Sequence, residues 1–256
     1  MKALKCILKY ALIAVLWIAV WWGASAAVNN SVILPAPGEV LVRVGELAFC
    51  ENFEIFWLSI LYSVIRVIFG LICATAVAVL LGALAFKFSI VADILQPAVA
   101  IVKSTPVVSF IFIAFIAFSK NFDAMPAFIS GLIVFPVMYE SILASLKATP
   151  RELVEVSEVF GCTFYERLRY LWIPSALPNF ITASKTSIGL AWKSGVAAEA
   201  LVAIPNMLSI GTEISEAKIW LETADQFAWT FVIIVLSLSI EILFSFVAKK
   251  ATDKIL

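Results

Sequence analysis

Six stretches of this 256-residue chain are apolar over the roughly 20 residues that a helix needs to cross about 30 Å of hydrocarbon. Their approximate limits are residues 9–28, 56–85, 94–118, 124–146, 176–203 and 226–248. A backbone inside lipid must satisfy its own hydrogen bonds, so such a chain has only helices or a closed barrel open to it, and runs of this length select helices. The composition agrees: 63% of the residues are hydrophobic and 14% charged, too few polar groups to coat a soluble globule of this length. An all-α membrane protein of about six spans is expected, with residues 1–256 forming one transmembrane domain.

The third stretch is interrupted by Pro97, Lys103 and Pro106 and reads as a kinked or interfacial first half followed by a short spanning half. The first stretch begins with Lys2, Lys5 and Lys9 and ends near Ala24-Ser25-Ala26, a signal-like pattern that reads as an uncleaved anchor. With that basic flank in the cytoplasm, Lys87, Lys147, Arg151, Arg167, Arg169, Lys249, Lys250 and Lys254 fall inside, and Arg43, Lys120 and Lys218 fall outside. The asymmetry of lysine and arginine places both termini in the cytoplasm. Trp21, Trp22 and Trp57 fall where the outer interface is expected.

Net charge is zero, so there is no basic field for nucleic acid. Histidine is absent, which removes imidazole acid–base catalysis, His-dependent nucleophile dyads and most zinc or haem ligation. Cys6, Cys50, Cys73 and Cys162 form no Cys-x-x-Cys pair, and no metal site is expected. No Gly-x-x-x-x-Gly-Lys-Ser/Thr loop occurs, so nucleotide hydrolysis belongs to another chain if it is used at all.

The loop between the fourth and fifth stretches has an architecture of its own. Thr149-Pro150-Arg151-Glu152 has the spacing of a capping box with proline at the first helical position. Leu153, Val156 and Phe160 then share one helix face opposite Glu152, Glu155 and Glu158, and Gly161 is the expected stop. Thr163-Phe164-Tyr165-Glu166 repeats the box, opening a second helix expected to end at Pro174. An apolar stripe with an acidic margin, away from the spans, is a docking surface for a soluble partner.

On these residues the chain resembles the permease subunits of ABC importers. Glu155, Gly161 and Pro174 stand in the register of their cytoplasmic signature, with Val156 and Ser157 replacing two alanines and with Leu171 and Ile173 exchanged for Ile and Leu. Ser63 to Gly70 with Gly82, then Pro97, Lys103 and Pro106, then Ala191-Trp192-Lys193, Ala197-Ala198-Glu199, Ser209-Ile210-Gly211 and Glu216 to Ile219 resemble the nitrate, sulfonate, taurine and bicarbonate branch.

The resemblance implies a type I importer permease in a bacterial inner membrane, with a second permease copy, a homodimer being expected, and an extracytoplasmic solute-binding protein. A cytoplasmic ABC ATPase would hold ATP and Mg²⁺, so the permease needs no cofactor. Residues 149–174 become the coupling loop, with Glu152, Glu155, Val156, Glu158, Val159, Phe160, Gly161, Cys162 and Thr163 against the ATPase. The solute is a small sulfonate, nitrate or similar anion, or a vitamin precursor.

Charges within the stretches have two readings. Arg66, Thr105, Lys185, Lys193 and Glu199 either line the path, or Lys185 and Glu199 snorkel at span ends while Arg66 pairs with a carboxylate such as Glu140. Lys193 and Glu199, six residues apart, meet only if their helix breaks at Gly195. Gly189 and Gly195 suit close helix packing or such a break. The rival function is a self-contained secondary transporter or channel, kept open by Glu140 and Glu241. A membrane enzyme or scaffold has no catalytic constellation to support it.

Overall fold

The computed structural model describes residues 2–202 and 207–255. Among them are eleven α-helices: α1 (Lys2–Val28), α2 (Pro37–Phe49), α3 (Phe53–Lys87), α4 (Ser89–Ser104), α5 (Val107–Ala117), α6 (Ala124–Lys147), α7 (Arg151–Val159), α8 (Phe164–Arg167), α9 (Ile173–Val202), α10 (Ile210–Ile219) and α11 (Thr223–Ile255). A π segment, Leu168–Trp172, joins α8 to α9. No strand occurs among the described residues.

All six expected stretches are helical, and the expected limit at residue 203 lies outside the described residues. By length and composition α3, α6 and Thr223–Lys250 of α11 suffice to cross a membrane. The apolar part of α1, Leu12–Val28, is shorter, and α1 runs unbroken through Ala24–Ala26. In α9, about 45 Å long at 30 residues, Lys185, Lys193 and Glu199 interrupt the apolar run. The third stretch is two helices, bent by 106° at Thr105-Pro106. The second of these has 11 residues, about 16 Å, and cannot cross alone as the sequence suggested.

The bundle is assembled on α3. Phe56, Ser59, Ser63, Val67, Gly70, Ala74, Ala78, Gly82 and Ala85 recur every three or four residues and form one buried stripe. Most are small because α6 crosses there: a Cβ on Gly70 would collide with the Ala127 carbonyl. From the other side α9 packs on α6, and a Cβ on Gly195 would stand 2.5 Å from Ser130 Oγ and 2.6 Å from Val67 Cγ2. Close packing is therefore what Gly195 serves; α9 does not break there. Trp192, only 1% exposed, donates from Nε1 to the Ile233 carbonyl at 3.2 Å, and Phe56 stacks on Trp229 with centroids 4.9 Å apart, bringing α11 onto the same core.

Two ends result. One, the corner end, carries the α3–α4 turn, α7, α8 and the start of α9. The other carries α2, the start of α6 and α10.

Candidate functional site

At the corner end, α7 starts one residue later than its capping box predicts. Thr149 makes no cap; its hydroxyl donates to Ser175 Oγ at 3.4 Å, and the extended Pro150 takes the cap position. The second box forms as expected: Thr163 Oγ1 accepts from the Glu166 amide at 3.3 Å, and Glu166 Oε2 accepts from the Thr163 amide at 2.7 Å. Donation by the Thr163 amide, and then by the Thr163 hydroxyl at 2.8 Å, holds the Glu166 carboxyl below the usual carboxylate range.

Between the two helices the backbone closes a Schellman turn. The Cys162 amide donates to the Ser157 carbonyl at 2.9 Å and the Gly161 amide to the Glu158 carbonyl at 2.9 Å, with Gly161 at φ +70°. Arg167 Nη1 donates to Glu158 Oε1 at 2.8 Å and bridges the corner. No residue of α7 or α8 is buried, and Val159 and Phe160 are 86% and 80% exposed. Pro174 does not end the second helix. Having no amide and crowding the carbonyl four residues back, it is accommodated by widening the ladder: the Ile173 amide reaches Leu168, and α8 runs through the π segment into α9. The corner is thereby continuous with α9.

At the opposite end, residues remote in sequence converge. Arg66 of α3 donates from Nη1 to the Leu208 carbonyl at 2.9 Å, pairs with Asp123, lies 3.6 Å from Glu199 Oε1 and stands over the Tyr62 ring. Glu199 is fully buried; its Oε2 accepts from Ser63 Oγ at 2.7 Å and from the Gly211 amide at 3.4 Å. Ser63 Oγ in turn accepts from the Ile210 amide at 3.0 Å, so the carboxylate faces the amino end of α10, where the helix dipole favours an anion. Gly211 is required because a Cβ would collide with Glu199 Cβ. Nearby, Ser59 donates to Glu213 at 3.4 Å, while burial and then the Glu216 charge raise the Glu213 carboxyl above its ordinary range.

The Arg66–Glu140 pairing expected from the charges is not formed. Glu140 pairs with Lys103 at 2.7 Å, because α4 folds back along α6 and brings Lys103 to it. Nor does Glu199 snorkel, being enclosed by α3 and α10. Ser63 and Gly211 entered the sequence reading only through the family resemblance and Asp123 not at all; their part in the site follows from the contacts that the fold gives them with Glu199 and Arg66.

Lys185 and Lys193 occupy a different surface. With Thr182 and Thr186 they form an exposed polar stripe of α9, and neither lysine has an ion-pair partner among the described residues. Neighbouring Ser184 and Ala191 contact Met138 and Ser130 of α6, a helix long and apolar enough to cross a membrane. Glu241 of α11 lies over Gly189 between them, its Oε1 3.1 Å from where a Cβ would stand. Thr105, the cap of α4 at the bend, donates to the Ile101 carbonyl at 2.7 Å.

This bundle of apolar helices, with an exposed corner continuous with a polar-faced helix, is that of a transport permease subunit by its relatives. The chain belongs to the family of inner membrane components of binding-protein-dependent transport systems, whose model matches residues 74–253. It is similar to the taurine transport system permease protein TauC of Escherichia coli K12, at 23% identity over 88% of this chain and 82% of that one. It is likewise similar to the putative aliphatic sulfonates transport permease protein SsuC of Bacillus subtilis 168, at 23% identity over 86% and 78% of the two chains. Among solved structures, the inward-facing MetNI methionine ABC transporter matches with a TM-score of 0.52 and 18% identity, over 78% of this chain and 94% of that one, and supports the type I importer fold.

Proposed function

We propose that this permease works as a pair of copies in a bacterial cytoplasmic membrane, importing a small sulfonate or similar oxyanion delivered by an extracytoplasmic binding protein. Residues 149–174 dock a separate cytoplasmic ATPase, which binds the ATP and Mg²⁺. The observation that carries this reading is the corner at Gly161: a preformed turn presenting Val159 and Phe160 to solvent, uncovered by any of the described residues. Glu152, Glu155, Val156, Glu158, Cys162 and Thr163 complete the docking surface, and Arg167 keeps it in shape. Both termini lie on the ATPase side.

The path runs along the α9 stripe. Exposed lysines at hydrocarbon depth cost roughly 3 kcal/mol each against lipid, so Lys185 and Lys193 face water or the second copy. Thr105 borders the path at the bend, while Arg66 and Glu199 clamp α10 at its outer end. The sulfonate assignment follows the names of TauC and SsuC together with these cations.

Extraction in mild detergent with a non-hydrolysable ATP analogue, followed by mass spectrometry, tests the partnership. A stoichiometric nucleotide-binding subunit that is lost in Gly161→Val is expected. A permease that carries no ATPase under any condition, yet moves solute in response to membrane potential, would identify a secondary transporter instead.

A further inference from the structure

Glu241 is the one charged residue between Asp225 and Lys249, in the part of α11 that is apolar enough to cross a membrane. Its Oε1 lies 3.1 Å from where a Cβ on Gly189 would stand, and no other neighbour among the described residues comes within 4 Å of that point. Glycine thus leaves a notch in the face of α9, with a carboxylate over it. Lys185 and Lys193 stand one turn before and one turn after Gly189 on the same face, about 6 Å along the axis to either side.

These three charges are left open. Where helix crossings bring opposite charges together elsewhere, the pair closes: Lys103 with Glu140, Arg66 with Asp123 and Glu199, Arg43 with Asp225. Lys185, Lys193 and Glu241 have neither an ion-pair nor a hydrogen-bond partner among the described residues. Charge inside a span is costly unless it is paired or serves a ligand. A path for a plain anion explains the lysines but not Glu241, which repels the anion that they attract. The hydroxyls of the stripe point the same way. Thr182 donates to the Pro178 carbonyl at 3.0 Å and Thr186 to the Thr182 carbonyl at 3.3 Å, so outward they offer only lone pairs, which an ammonium group uses and a sulfonate does not.

We propose that the notch at Gly189 is a subsite for a small zwitterion, with Lys185 and Lys193 taking its oxyanion group and Glu241 its ammonium group. The oxygens of Thr182 and Thr186 complete the ammonium side. Anion and cation sites lie about one helical turn apart, roughly 5 Å, a span that an aminoalkanesulfonate bridges with two or three carbons. Open pairs suit such a solute: closing Glu241 onto either lysine would cancel the two charges that it must meet. The solute class narrows the reading of the α9 stripe as the path and rests on it, but binding at the notch requires neither the ATPase nor the binding protein.

The full-length permease in lipid nanodiscs is titrated separately with aminoethanesulfonate, ethanesulfonate and ethylammonium at equal ionic strength, reading the thermal unfolding midpoint by tryptophan emission. Aminoethanesulfonate is expected to raise the wild-type midpoint at about tenfold lower concentration than ethanesulfonate. Glu241→Gln should weaken the aminoethanesulfonate response about tenfold and leave that to ethanesulfonate unchanged or tighter, so that the preference disappears. Gly189→Ala keeps every charge, moves only the flexible end of Glu241, and should weaken the zwitterion response a few-fold. Lys185→Gln and Lys193→Gln should each weaken the responses to both sulfonates. Equal wild-type responses to the two sulfonates would overturn the proposal, as would an equal loss of both in Glu241→Gln or no rise with aminoethanesulfonate. No ATPase enters this assay, so failure of the importer reading shows up separately, in the co-purification.

Discussion

The carboxyl ends of α7 and α10 close with the same two hydrogen bonds but carry different residues at the corner. At α10 the Glu222 amide donates to the Ala217 carbonyl at 2.8 Å and the Leu221 amide to the Lys218 carbonyl at 3.3 Å, repeating the pattern around Gly161. Gly161 sits at φ +70° and Leu221 at φ +59°. Glycine adopts this backbone freely, whereas a residue with a Cβ gives up about 1–2 kcal/mol there. The difference lies in what surrounds each corner. Around Gly161 no residue of α7 or α8 is buried, so the turn must be stable by its own local chemistry and leaves its side chains exposed. The α10 corner is instead set from outside: Thr223 donates to the Val32 carbonyl at 2.6 Å, Arg43 grips Asp225 with two nitrogens, and Glu199 holds the amino end of α10. The Asp225 contact raises the Arg43 guanidinium above its ordinary range. A strained residue is affordable where tertiary contacts over-determine the backbone.

That contrast breaks most visibly at Arg66. Arg66→Met strands the buried Glu199 charge and should cost about 3–5 kcal/mol, read as a lowered unfolding midpoint in detergent. Adding Glu199→Gln should return much of the loss. A single variant as stable as wild type would mean that packing alone, not the charge pair, holds α10.

Gly161→Val is the counterpart at the self-sufficient corner. Its local cost of about 1–2 kcal/mol falls on a segment with no buried residue, so the bundle should melt nearly as before while ATPase capture is lost. A large drop in the melting midpoint would show that the corner supports the bundle after all. Leu221→Gly sharpens the comparison from the other side. It relieves the left-handed strain and should stabilise the protein by up to about 1 kcal/mol, glycine's extra unfolded-state freedom taking back part of the gain.

The same contrast separates what the sequence discloses from what it conceals. Gly161, the Thr163 box and the stripe of α3 are written in spacings of three to five residues, and their geometry follows from local rules. The break of the third stretch is legible too, because Pro106 and the residue before it resist helix. Leu221 carries no mark of a positive φ, and the partners of Arg66 and Lys103 are set by how helices cross, so nearest plausible charges were a poor guide. Thr149 shows that a correct cap spacing fails when a neighbouring helix offers its hydroxyl another bond.

The smallest expected effect lies within the self-sufficient corner and tests whether its local chemistry suffices. Thr163→Ala removes the cap of α8 at a cost of about 1 kcal/mol, confined to that turn. Faster amide exchange at Glu166, with an unchanged global melt, is the reading that fits. Because Glu166 titrates below its ordinary range when folded, its contribution is complete above the usual carboxylate range and is lost as pH falls through the depressed value. Protection of the α8 amides should therefore decline on acidification in wild type, and Glu166→Gln should flatten that part of the profile. If instead the protection followed Glu199 and Arg66 variants at the far end, the corner would be held by the bundle as Leu221 is, and the distinction between the two ends would collapse.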